Sequence, residues 1–359
     1  MKTMKIFVSL IVALLFNALL ATGVAPAIGV GVGPMFVGLT ALSGALSFLP
    51  MPTGVLPMAI QKEIWLNDIV ENIFNQNPHL NYAVNADQFV LQGKVVHIPN
   101  AGSKPGVKRN RDKVPATVLI RQDVDITFVL DEYTADPMHI TNAEQYELSY
   151  DKRASVISEQ SNAISELVGD WFFRYWAPSG TANIARTTGG SVAAHYGTGN
   201  RKAVTVADVK AIKKVMDKMG TPAQGRVAIL DPDMYDQFTS DLTVTQYRDF
   251  SAALNQAEGV VGRLMGFTFL DTRTKVLRYT NAGTPVVKDP DAAIANDDNA
   301  AALFWHPTAV IRALGDKEFF EDEGNPTYYG DIYSALVRAG GRIKRNDQVG
   351  IVALVQTAV

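Results

Sequence analysis

The chain has 359 residues, 47% of them hydrophobic, and 33 Lys and Arg against 36 Asp and Glu give a formal net charge of -3. That length and composition can bury a core in two or three domains and exclude a mainly disordered chain. The absence of cysteine excludes disulfides, thiolate metal sites and thiol nucleophiles together, and the small net charge excludes a nucleic-acid grip built on global charge alone.

From the amino terminus, no charged residue falls between Lys5 and Lys62. Two lysines, a hydrophobic run from Ile6 to Leu15 and small residues at Ala25 and Ala27 read as a secretory leader, with a mature chain starting near Ile28. As a helix, Ile6 to Ala21 would span about 24 Å, short of the roughly 30 Å hydrocarbon core, so a leader or a buried arm fits better than an anchor. Beyond Ala21, glycines and prolines such as Gly29, Pro34, Gly44, Pro50 and Pro57 predict an extended apolar strap. Gly29-Val30-Gly31-Val32-Gly33 begins like a dinucleotide fingerprint, but Pro34 stands where the third glycine is needed and the flanking strand and helix are missing.

Glu63 to Val70 repeats apolar residues at helical spacing and predicts a short helix. Gln88 to Leu91, Lys94 to Ile98, Ala116 to Ile120 and Ile126 to Leu130 predict strands around a polar excursion. Between Lys94 and Arg121 that excursion carries seven positive residues against the single acid Asp112, which predicts a protruding basic hairpin, an ordinary solvated loop being the plain alternative. Thr141 with Glu144 has the spacing of a capping box, and Ile157, Ile164, Val168, Trp171 and Phe172 predict a helix stopped by Pro178-Ser179-Gly180, a rod of about 50 Å. Thr205-x-x-Asp208 opens another helix with Val209, Ile212 and Met216 on one face, ended by Gly220 and Pro222. Arg226 to Leu230 predicts a buried strand, and Asp231-Pro232 an N-cap with a favoured first helical residue. Asp231 and Asp233 are also the candidate carboxylates for an active site at that strand's carboxyl end.

In order, Pro115-Ala116-Thr117 with Asp131-Glu132-Tyr133, the helix after Thr141 and the step Arg226-Val227-Ala228-Ile229-Leu230-Asp231-Pro232 begin a longer pattern. Gly259-Val260-Val261-Gly262-Arg263-Leu264-Met265-Gly266-Phe267, Ala302 to Val310, Gly330-Asp331 and Val337 to Arg342 complete it. Over roughly residues 60 to 359 this resembles the major capsid proteins of tailed bacteriophages, whose fold is shared with encapsulin nanocompartments. The resemblance implies an α+β fold: an apolar N-terminal arm over 1–62, an arm-to-loop helix over 63–85 and an extended β-hairpin loop over 86–133. A peripheral domain with a long spine helix would occupy 134–201, an axial domain 202–300, and 301–359 would return to complete the peripheral domain.

The resemblance also implies a structural subunit without catalysis or cofactor, many copies of which assemble as pentamers and hexamers into an icosahedral shell around double-stranded DNA. Portal and other virion proteins would meet it, DNA contacts would carry no sequence specificity, no stable membrane anchor is expected, and assembly would take place in the bacterial host cytoplasm. The loop residues Lys104, Lys108, Arg109, Arg111 and Lys113 would lie on a neighbouring copy, with Glu318, Glu321, Asp322 and Glu323 as acidic partners. Gly259, Gly262 and Gly266 would let the backbone turn before a strand. The spacing of Lys104, Lys108, Asn325 and Asn346 gives no support to a Lys–Asn crosslink.

Two alternatives remain from the sequence: an encapsulin-type shell, and a secreted or membrane-associated enzyme directed by the apolar start. Against an enzyme, G-x-x-x-x-G-K-[ST], H-E-x-x-H and G-x-S-x-G are missing, and His79, His97, His139, His195 and His306 stand far apart. Asp123-x-Asp125 and Asp289-x-Asp291 do not continue into a calcium loop.

Overall fold

In the computed structural model the described residues are 31, 37, 40, 55–91, 94–100, 107, 109–110, 124–141, 152–255 and 258–359. The leader-like run, most of the strap, the strand expected over Ala116 to Ile120 and Glu144 lie outside the described residues. The chain divides into two units, 1–63 and 64–359. Of the first, the described part is chiefly the opening of helix α1 (Val55–Gln76). The helix expected near Glu63 thus begins eight residues earlier, and the apolar arm assigned to 1–62 gives way to helix at Val55. Pro57 sits in the first turn, where its missing N–H would have had no intrahelical partner anyway.

The second unit continues through β1 (Val84–Asn85), β2 (Val90–Leu91), β3 (Val95–Asn100), β4 (Val124–Val129), β5 (Asp131–Thr134), β6 (Met138–Thr141) and α2 (Lys152–Trp176). After it come β7 (Ile184–Arg186), β8 (Ser191–Ala193), β9 (Asn200–Lys202), α3 (Val206–Lys218), β10 (Arg226–Ile229), α4 (Pro232–Ser240) and α5 (Val244–Ser251). The strands β11 (Val260–Leu264), β12 (Phe267–Leu270), β13 (Leu277–Tyr279), β14 (Asn299–Trp305), β15 (Val310–Asn325), β16 (Gly330–Ile343) and β17 (Ile351–Val355) complete it.

The two largest of the four sheets among the described residues organise most of these elements. In one, the long β15–β16 hairpin is flanked in the order β1-β15-β16-β5, with β6 also pairing β16. The other has seven strands, β11-β12-β10-β14-β17-β7 with β13 on β14. Residues 301–359 therefore serve both sheets: β16 joins strands from 131–141 and β15 joins β1, but β14 and β17 join β10 and β7. The resemblance implied that this return segment would complete the peripheral domain. Its apolar runs Ala300 to Trp305 and Ile351 to Val355 are buried on both faces, which only a central sheet position provides.

Successive side chains of a strand point to opposite faces, and β10 shows what that does here. Val227 and Ile229 join the core under α2, made with Val168, Phe172, Phe173 and Trp176, while Ala228 and Leu230 join the core under α3, α4 and α5. The aromatic cluster at the end of α2 is core, as its helical spacing implied: Phe172, Phe173 and Trp176 are fully buried, each contributing roughly 1.5–3 kcal/mol of transfer free energy. Gly341 of β16 lets Phe172 approach, since a Cβ there would lie 3.0 Å from the ring.

Two helix starts follow the local chemistry expected of them. Thr205 and Asp208 form both halves of a capping box, and Asp231 accepts the Met234 N–H at 2.7 Å with Pro232 at the first helical position. Thr141 is the last described residue of β6, paired with Gly330, and the described part of α2 runs 25 residues from Lys152, about 37 Å. The helix start expected between Thr141 and Glu144 lies outside the described residues.

Candidate functional site: the assembly surfaces

The basic excursion is built on a fixed base. Its incoming end is stapled to β15: Val84 pairs Ile311, the Ala86 N–H donates to the Arg312 carbonyl at 2.9 Å, and the Leu314 N–H donates to Asp87 Oδ1 at 2.7 Å. The outgoing end leaves through β5 on β16, on the far side of the hairpin. Between them β3 and β4 pair in register from Val95↔Val129 to Asn100↔Val124, with Val96, Ile98 and Leu130 buried against Ile311 and Ala313. The excursion thus straddles the root of β15–β16. Val107, Arg109 and Asn110 are exposed, and Asn110 takes a left-handed turn conformation at φ 48°. Lys104, Lys108, Arg111 and Lys113 lie outside the described residues.

The proposed acidic partners separate into two groups. Glu321 is engaged within its own chain by the Arg153 guanidinium, which also lies 3.5 Å from Glu323. That guanidinium stacks 4.6 Å from the Trp65 ring and 4.8 Å from Tyr333, so it is a built intramolecular clamp joining α1, α2 and the hairpin. Burial, and then the neighbouring Glu323, pushes the Glu321 carboxyl up from its ordinary range. Glu321 is accordingly removed from the set available to a neighbour, and Glu323 is partly engaged. Glu318 and Asp322 stay exposed on the strand's outer face; Asp322 accepts from the Asn325 amide at 2.6 Å. Arg153 could not be picked out beforehand, because a clamp formed between residues 168 apart leaves no local spacing to find.

The three glycines do two different things. Gly259 has φ 64°, and Met265 and Gly266, at φ 54° and 87°, form the two-residue turn between β11 and β12, where Leu264 pairs Phe267. Gly262 is no turn: it lies inside β11, and a Cβ there would sit 2.6 Å from the Phe250 ring. Its role is close approach of α5 to the sheet.

Candidate chemistry resolves into structural roles. Asp231 is a buried cap whose carboxyl burial pushes up, while Asp233 meets His195 Nδ1 at 2.5 Å. His306 accepts the Thr308 N–H at Nδ1, which leaves Nε2–H to donate to the Gln224 carbonyl at 3.1 Å. His79 is buried, stacked 4.2 Å from Phe173, and burial holds its pKa well below the ordinary value. Among the described residues no His, Asp or Glu cluster could hold a metal, and no helix is long and apolar enough to cross a membrane.

One polar junction escaped the sequence. The end of α1, helix α2 and the β12–β13 loop enclose a cleft of about 820 Å³ that includes His79, Asp170, Arg273 and Lys275. Arg273 lies 3.8 Å and Lys275 3.9 Å from Asp170, and Arg273 also donates to the Gln76 carbonyl at 3.1 Å and to Asn77. Burial nevertheless pushes the Asp170 carboxyl up to about 6. Gly169 makes the junction possible, because any Cβ there would collide with Asn77.

No family model and no curated protein matches the sequence. Solved structures do match: the capsid of Ralstonia phage GP4 superposes with a TM-score of 0.58 at 14% identity, over 77% of this chain and 87% of that one. The capsid structure of cyanophage P-SCSP1u gives 0.53 at 16% identity over 76% and 86%, and a structure from Mycobacterium phage Che8 gives 0.52 at 17% over 76% and 89%. The fold is that of phage capsid subunits. The α+β architecture with a hairpin excursion and a spine helix is therefore borne out across most of both chains.

Proposed function

We propose that this protein is the shell-forming subunit of a tailed phage, many copies of which close as pentamers and hexamers around double-stranded DNA. The fold carries this proposal, since it follows phage capsid subunits over about three quarters of the chain and most of theirs. Titratable residues that looked catalytic are engaged in caps and ion pairs, which suits a structural subunit. In this reading the shell forms in the host cytoplasm, portal and other virion proteins meet it there, and DNA is held without sequence readout. The assigned parts are those of the resemblance: the excursion over 86–133 reaches a neighbour, 134–201 is peripheral and 202–300 axial.

The excursion supplies the docking charge, and Glu318 and Asp322 are the carboxylates free to receive it. Its base, the β3–β4 pair, is anchored, which lowers the ordering cost of docking. Sedimentation of the full-length protein tests both levels. The wild type should form large closed particles, Lys108→Glu with Arg109→Glu should shift the material to small species, and adding Glu318→Lys with Asp322→Lys should restore particles. Undiminished assembly of the reversed loop removes the docking scheme, and a wild type that stays small under all conditions removes the shell function.

A further inference from the structure

Helix α3 presents Lys210, Lys214 and Lys218 on the side away from Val209, Ile212 and Met216, which are buried in the core, with Lys213 half-buried at the flank of that face; the four are spaced i, i+3, i+4 and i+8. The four ammonium groups cover about 12 Å along the helix. None of them makes an ion pair within the described chain. The acid on the same face, Asp217, is already neutralised: the buried Arg226 guanidinium binds it at 2.7 Å while also donating to the carbonyls of Pro222 and Thr221. The other α3 acid, Asp208, is buried in the N-terminal capping box. Beside the lysines opens a hollow of about 540 Å³, its far side formed by Met265 of the β11–β12 turn.

Like charges at i, i+3 and i, i+4 repel by a few tenths of a kcal/mol per pair, so this face opposes helix formation when bare. The helix dipole accounts for Lys218 in the last turn but not for Lys210 near the start. We propose that the lysine face of α3 is a binding surface for the phosphate backbone of duplex DNA. The inference rests on the shell reading for its biological setting and gives that reading an inward side: α3 faces the enclosed genome. Duplex DNA carries one charge per about 1.7 Å of axis, so a 12 Å stripe meets several phosphates at once, and flexible ammonium groups suit contact without base readout. The competing occupant, the acidic end of another copy's β15–β16 hairpin, offers only Glu318 and Asp322 as unengaged carboxylates for four lysines. A near-neutral subunit thus gains a local grip that its net charge conceals.

The test is fluorescence anisotropy of the full-length protein with a random-sequence duplex of about 30 base pairs, titrated across salt. Lys210→Gln, Lys213→Gln, Lys214→Gln and Lys218→Gln are combined in one variant, and Arg248→Gln, Arg263→Gln, Lys344→Gln and Arg345→Gln in a charge-matched control. Each lost phosphate contact flattens the log–log salt slope by about 0.9, so the α3 variant, which removes four lysines, should lose up to about 3.6 and weaken binding at least about tenfold at low salt, with the control close to wild type. Equal slopes in the two variants overturn the proposal. Unchanged DNA binding with lost particle formation also overturns it, by assigning the lysines to a neighbouring copy. Particle formation is scored separately by microscopy: if the wild type forms none but the α3 variant still loses the slope, the phosphate surface stands and the shell reading fails.

Discussion

Gly262→Ala isolates the close approach of α5 to β11. The backbone at Gly262 needs no positive φ, so alanine brings no conformational strain, but its Cβ would lie 2.6–2.7 Å from three atoms of the Phe250 ring. That ring cannot swing away freely, because it packs edge-on against Phe269 at 5.4 Å and Phe238 at 5.9 Å. Overpacking of this kind costs about 1–3 kcal/mol, and the upper half of that range is expected here because the obstacle is the flat of a fully buried ring. Phe250→Leu alone should also destabilise, through lost burial and a partial cavity. Combined with Gly262→Ala it should cost at least about 1 kcal/mol less than the sum of the single changes. Gly266→Ala is the contrast: its φ of 87° strains any side chain by about 1–2 kcal/mol, while the nearest atom is 3.4 Å away, so Phe250→Leu should not relieve it. Equilibrium urea unfolding of unassembled subunits, followed by circular dichroism, measures all five variants. Strict additivity of Gly262→Ala with Phe250→Leu would refute the steric reasoning.

The Asp170 carboxyl, raised from 3.8 to about 6 by burial, makes the fold less stable once it ionises, so its contribution is lost as pH rises from about 4 through 6. Asp170→Asn should therefore gain on the wild type by on the order of 2 kcal/mol between pH 4 and 7, part of the full shift being screened in the open cleft; a pH-independent difference would contradict the assignment. His79 acts oppositely: buried and neutral, it resists protonation, so stability falls as pH drops below about 6.5, and His79→Phe should remove that acid-side loss in urea unfolding. Asp231→Ala deletes the α4 cap and should cost about 1 kcal/mol, measurable as a lower urea midpoint with unchanged slope; no shift would mean that Pro232 alone fixes the helix start.

Sequence and structure agree where the signal is local. Thr205 with Asp208 and Asp231 with Pro232 mark helix starts that the backbone uses, since a cap needs only residues within one turn. The paired arms Val95–Asn100 and Val124–Val129 could be read from strand-like runs around a polar stretch. The ladder that Thr141 makes with Gly330 could not be read locally, because its partner comes from a segment 189 residues away. The same distance problem hid the Arg153 clamp on Glu321 and the Asp170–Arg273 junction, both of which exist only after α1, α2 and the sheets have met. Gly262 carried the right residue for the wrong reason: glycine is needed there for space, which sequence cannot tell from a turn.

Closed shells are the most direct consequence of the proposed function. Negative-stain microscopy of the purified full-length protein, with mass spectrometry of its amino terminus, should show uniform closed particles of tens of nanometres built from chains that keep the apolar arm. A uniform small species whose chain starts near Ile28 would contradict the shell function and favour a secreted protein instead.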